Sequence, residues 1–136
     1  MGFLTVISET GMFHSAVLLQ RDAGDDGRWY GFKPNVNKMP MWSGHVDRSD
    51  RTDFVNHYAR FQVENPLLDD AEAVIERTYA RGFYAIGVKD CVSLSADVAE
   101  ACGLSVAIAN FTPYGLLIYL KVNNAYTAFD TRPFPW

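Results

Sequence analysis

The chain has 136 residues, of which 49% are apolar and 21% charged, with a net charge of −4. This is a globular composition that excludes disorder, and no cluster of Lys and Arg offers the basic face that nucleic acid or an anionic membrane requires. One domain spanning residues 1–136 is expected, burying roughly two thirds of its unfolded surface.

The opening MGFLTVISETGMFHSAVLL lacks a basic n-region and meets Glu9 before any long apolar run, so it does not read as a secretory signal. The longest apolar stretch, around Tyr114 to Leu120, is too short for a transmembrane segment. The expectation is a protein made in the cytoplasm, with any export to the periplasm or a target cell bypassing that signal route.

Phe13 to Arg21 reads as a strand, DAGDDG at 22–27 as a turn, and Arg28 to Phe32 as the returning strand of a hairpin. Residues 33–53 carry two prolines and many turn formers, which predicts a long surface excursion. Phe54 to Val63 fits a helix or a strand, and a strand ending at Val63 is preferred. Asp69 to Arg81 is predicted helical, with Asp69 and Glu72 in capping-box register and Gly82 as the stop. Gly82 to Val88 reads as extended. A second helix is predicted from Cys91 to Cys102, with Asp90 as N-cap and Gly103 as terminator. LSVAIANF and then YGLLIYLKV–NN–AYTAFD read as strands, the Asn pair favouring a hairpin. The sum is an α+β pattern.

The two cysteines hold the chemical interest. On one helix they lie about 16 Å apart at ~1.5 Å per residue, too far for a disulfide. At 100° per residue Cys91, Val98 and Cys102 share one line, so Cys91 faces inward from the first turn. Free N–H groups at a helix start favour a thiolate, whereas the Asp90 carboxylate opposes it. Free cysteines are also common core residues; Cys102 reads as core, and Cys91 needs a nearby base before it counts as a nucleophile. His45 lies in a polar loop and His57 reads as a surface or rim residue. His14 stands inside an apolar strand, where its ring must find a polar partner. A His holding the proton of a helix-start Cys is the arrangement of a thiol hydrolase. No spacing forms a metal-ligand set, and no cofactor is called for.

Two segments, GMFHSAVLLQRDAGDDGRWYGFKP and YAIGVKDCVSLSADVAEACGL, resemble the circularly permuted branch of the NlpC-type papain-like cysteine hydrolases. In that branch the His strand precedes the Cys helix. Its members include bacterial cell-wall amidases and endopeptidases, some interbacterial toxins, and lecithin–retinol acyltransferase-like enzymes. The likeness covers about residues 11 to 104. It implies an antiparallel sheet packed against a helix carrying the Cys at its N-terminus, with Cys91 as nucleophile and His14 as base. The chain has Asp90 where the family usually has Asn. For the third residue, which orients the imidazole, a symmetric hairpin pairs Leu19 with Tyr30 and brings Asn35 opposite His14; a one-residue slip offers Tyr30 instead. Asp47 is a further possibility from the long loop. Tyr30 and Trp42 are candidates for substrate contacts.

Three functions are therefore expected to compete. The first is a cysteine amidase or endopeptidase acting on peptidoglycan stem peptides, as an interbacterial effector met by a cognate immunity protein. The second is a lipid-directed acyltransferase or lipase with the same site, for which Met39, Met41 and Trp42 could form an apolar rim. The third is a catalytically inactive binding module.

Overall fold

A computed structural model describes residues 1–10, 14–36, 41–80, 83–85, 89–106 and 112–136. Among them, seven strands form one antiparallel sheet: β1 (Gly2–Glu9), β2 (Ser15–Gln20), β3 (Arg28–Pro34), β4 (Met41–Asp47), β5 (Val55–Val63), β6 (Phe83–Ala85) and β7 (Ala128–Phe129). Their spatial order is β6-β4-β3-β2-β1-β5-β7. Three helices complete the α+β fold: α1 (Asn65–Val74), continued by a π-turn over Ile75–Tyr79, α2 (Cys91–Ala101) and α3 (Pro113–Asn123).

Residues alternate between the two sheet faces. Leu4, Val6, Val17, Leu19, Tyr30, Phe32, Ala59 and Phe61 pack with helix residues such as Leu94, Val98, Leu116 and Leu120. Each fully buried Leu or Phe contributes about 1.5–3 kcal/mol of hydrophobic stabilisation. On the other face Ile7, Ala16, Leu18, Trp29 and Tyr58 form a smaller cluster, covered by Phe134 and Trp136 of the C-terminal segment.

The helix at Cys91 forms as the sequence predicts. Asp90 accepts a hydrogen bond from the Ser93 backbone N–H at 2.9 Å, and Gly103 takes the left-handed φ of 86° that ends a helix. The strand ending at Val63 also forms. Elsewhere the expectations need correction. The 33–53 excursion contains β4, which pairs with β3 and β6; most of its side chains are exposed or half-buried, so it has no apolar alternation to read. Helix α1 begins at Asn65 with Pro66 in its first turn, earlier than the Asp69 cap suggested.

The expected hairpin at YGLLIYLKV is instead α3. Thr112 caps it, accepting from the Gly115 N–H at 2.9 Å, and Pro113 occupies its first turn. A continuous apolar run does not separate strand from buried helix, and the Thr-Pro start was the overlooked signal. Residues 107–111 of LSVAIANF, and Gly82, fall outside the described residues. No described helix is long and apolar enough to cross a membrane.

Candidate functional site

Helix α2 lies on β2, tied to it by a buried 2.7 Å hydrogen bond between the hydroxyls of Ser95 and Ser15. This docking sets the first turn of α2 on the beginning of β2. The Cys91 sulfur is fully buried there. Burial pushes its pKa up from 9.0 to about 12; the Ser15 backbone N–H opposes that shift, the Asp90 carboxylate adds to it, and the helix's own first N–H groups oppose it. The helix-start effect is therefore present, but desolvation outweighs it. Cys102 is likewise raised to about 12 by burial, so both are protonated thiols near neutral pH.

His14 immediately precedes β2, yet its ring lies on the opposite face. Its Nε2 is 3.1 Å from where a Cβ on Gly31 would sit, beside Ala16, on the side away from α2. The cause is strand alternation: Ser15 turns towards Ser95, so His14 and Ala16 turn the other way. The structure thus shows no Cys91–His14 pair, which corrects the expected juxtaposition.

An ionic network surrounds this histidine instead. Glu9 approaches His14 Nε2 at 3.5 Å and accepts two hydrogen bonds from Arg51, at 2.6 and 2.8 Å. Arg51 also lies 3.7 Å from Asp47, which pairs with Lys33 at 3.0 Å. Burial lowers the His14 pKa from 6.5 to about 4; Glu9 resists the shift, while Lys33 and Arg51 reinforce it. For Asp47, burial pushes upward, but the hydrogen bonds from Lys33 and Ser49 prevail and hold it near 2.

The other expected site residues separate. The hairpin pairs Leu19 with Arg28, two positions from the symmetric register, so Asn35 does not face His14. Asn35 instead contacts His45 Nδ1 at 2.9 Å and donates to Ser43 Oγ at 2.8 Å. Tyr30 is buried, with its hydroxyl donated to Glu72, and is not available to a substrate. Trp42 is 46% exposed on β4, on the face of its cross-strand neighbour Tyr84, whereas Met41 and Phe83, also exposed, face the other side of the sheet. Met39 lies outside the described residues.

His57 is more organised than its sequence context suggested. Its Nδ1 is 2.8 Å from Asp130 and its ring centroid 4.4 Å from that of Tyr114. It shares the helix-side face with Cys91. The register Ser15↔Ser8↔His57 puts it on β5, two strands away from the strand on which Cys91 rests. Neither the Glu9–Arg51 pair nor the His57–Asp130 pair was legible, because each joins residues more than forty positions apart without a local pattern.

No protein-family model, curated protein or solved structure matches the chain.

Proposed function

We propose that the chain is a thiol hydrolase cleaving an amide bond, with Cys91 as nucleophile and His14 as general base. One observation carries the reading. The fold sets the start of α2 on the start of β2, so the Cys91 sulfur meets the Ser15 N–H, one residue beyond His14. The cysteine thereby arrives at a helix start, where N–H groups can stabilise an oxyanion.

The reading carries a requirement: the imidazole must come round to the face of Cys91. His14 then takes the thiol proton, the sulfur attacks the carbonyl carbon, and the protonated imidazole gives its proton to the leaving amine. Water, deprotonated by His14, cleaves the thioester and restores the thiol. By resemblance the substrate is a peptidoglycan stem peptide, and an immunity protein would block the site. Exposed Trp42 on the helix side, and exposed Met41 and Phe83 on the other side, leave a lipid-directed acyl transfer as the competing substrate class.

A second reading, a non-catalytic binding module on the same scaffold, is favoured by the burial of both Cys91 and His14. Thiol alkylation with mass mapping, run beside digests of peptidoglycan and of phospholipid vesicles, separates the readings. The hydrolase reading expects Cys91 to label ahead of Cys102, His14→Ala to abolish that preference, and turnover to fall about 10²–10⁴-fold in that variant. Equal inertness of both thiols, with neither substrate consumed, overturns it in favour of the binding module.

A further inference from the structure

Arg60 stands in the middle of β5 between Ala59 and Phe61, which face the helices, so its own side chain lies on the opposite face with that of Tyr58. It is buried, at 4% exposure. Arg21, Arg28, Arg48 and Arg51 each pair with a carboxylate. Arg60 pairs with none among the described residues; its guanidinium is centred 4.0 Å over the ring of Phe3. A π-face attracts the charge but offers no acceptor in the plane of the N–H donors. The Arg60 Nε is buried without a hydrogen-bond partner.

The same condition recurs beside it. Thr5 is the direct cross-strand neighbour of Arg60, and its buried hydroxyl also lacks a partner. Gln20, across from Phe3 on the other side, donates its amide N–H to the Asp25 carbonyl, whereas its buried Oε1 is unpartnered. Buried polar groups are ordinarily hydrogen-bonded, so three exceptions around one ring call for a common cause. Burial lowers the Arg60 pKa, with Tyr58 opposing the shift, the direction expected of a desolvated cation.

We infer that Arg60 and Thr5 form a binding site for a small oxyanion, a carboxylate or phosphate group, on the sheet face away from the helices. The guanidinium fork and the Thr5 hydroxyl donate to the anion's oxygens. Gln20 Oε1 accepts from a hydroxyl or N–H carried by the same ligand. The site shares no residue with Cys91 or His14, so its fate is independent of the hydrolase reading.

The test is thermal unfolding of the full chain in sodium phosphate and in sodium acetate, against sodium chloride of matched ionic strength. At a hundredfold excess over Kd, the preferred anion is expected to raise the Tm by about 9 °C. That rise should vanish in Arg60→Met, shrink in Thr5→Val, and persist in a control at the exposed Arg77, Arg77→Met. A response to phosphate, to acetate or to both identifies the anion class. Saturable movement of an arginine Nε–Hε NMR signal in the wild-type protein gives a second measurement that does not depend on a variant folding. Equal Tm shifts in the wild type and Arg60→Met, or no saturable response to either anion, overturns the site.

Discussion

The two faces of the sheet solve different problems with neighbouring residues. The helix-side face is closed and apolar, and it holds Cys91. The other face is divided: aromatic rings of the C-terminal segment cover Trp29 and Tyr58, while Glu9, Arg51, Asp47 and Lys33 link up around His14. Burial favours the neutral form of both Cys91 and His14, yet it moves their pKa values apart, the thiol upward and the imidazole downward. Closeness along a strand is thus not chemical closeness, because one residue of alternation puts two groups in separate environments.

The largest expected effect sharpens this contrast. Phe32 is fully buried on the helix side, with its ring centroid 5.1 Å from that of Tyr79 and 5.6 Å from that of Tyr84. Phe32→Ala should cost about 3–5 kcal/mol in urea unfolding. A loss below ~1 kcal/mol would mean that the helix-side packing is not the main source of stability.

The next effect is a pH dependence that belongs to the other face. His14 is buried as a neutral ring with its pKa near 4, whereas the unfolded chain takes up a proton near 6.5. The stabilisation is therefore present above about pH 6.5 and is lost as the pH falls towards 4, by ~3 kcal/mol in total. Denaturation midpoints measured at pH 7 and pH 4.5 should diverge in the wild type and converge in His14→Gln. Equal slopes in the two proteins would show that the ring is not buried as described.

Smaller again is the contribution of the C-terminal segment. Trp136 meets Tyr58 edge-on at 5.0 Å, Trp29 at 6.3 Å, and stacks on Phe134 at 4.5 Å. Because it is only partly buried, Trp136→Ala should cost about 1–2 kcal/mol. A loss as large as that of Phe32→Ala would erase the distinction between the faces.

The elements with local signals were legible. Asp90, the inward stripe from Cys91 to Cys102 and Gly103 carry α2, because capping and helical period act within a few residues. The α+β class followed from mixed periodicities. What escaped was non-local. Strand β4 is recruited by its neighbours rather than by its own apolar pattern. The register of β2 against β3 depends on how the DAGDDG turn closes, and a shift of two positions removed Asn35 from His14. The face taken by His14 is decided by Ser15 reaching Ser95, eighty residues away. Arg60 showed nothing in sequence, since a cation in an alternating strand normally faces solvent.

The smallest effect on stability is the most informative about Cys91. Asp90 holds the start of α2 through the Ser93 N–H at 2.9 Å and hydroxyl at 3.1 Å, and its charge raises the pKa of the adjacent thiol. Asn caps a helix about as well as Asp, so Asp90→Asn should change stability by less than ~0.5 kcal/mol. The substitution removes a negative charge beside the sulfur while leaving its burial intact. The midpoint of Cys91 alkylation against pH is therefore expected to move to lower pH, and that of Cys102 to stay in place. If both midpoints hold still, the carboxylate does not govern the thiol, and burial against the opposing N–H groups sets its protonation. If Cys91 shifts, the charge at position 90 is the lever by which this helix start could be tuned towards a thiolate.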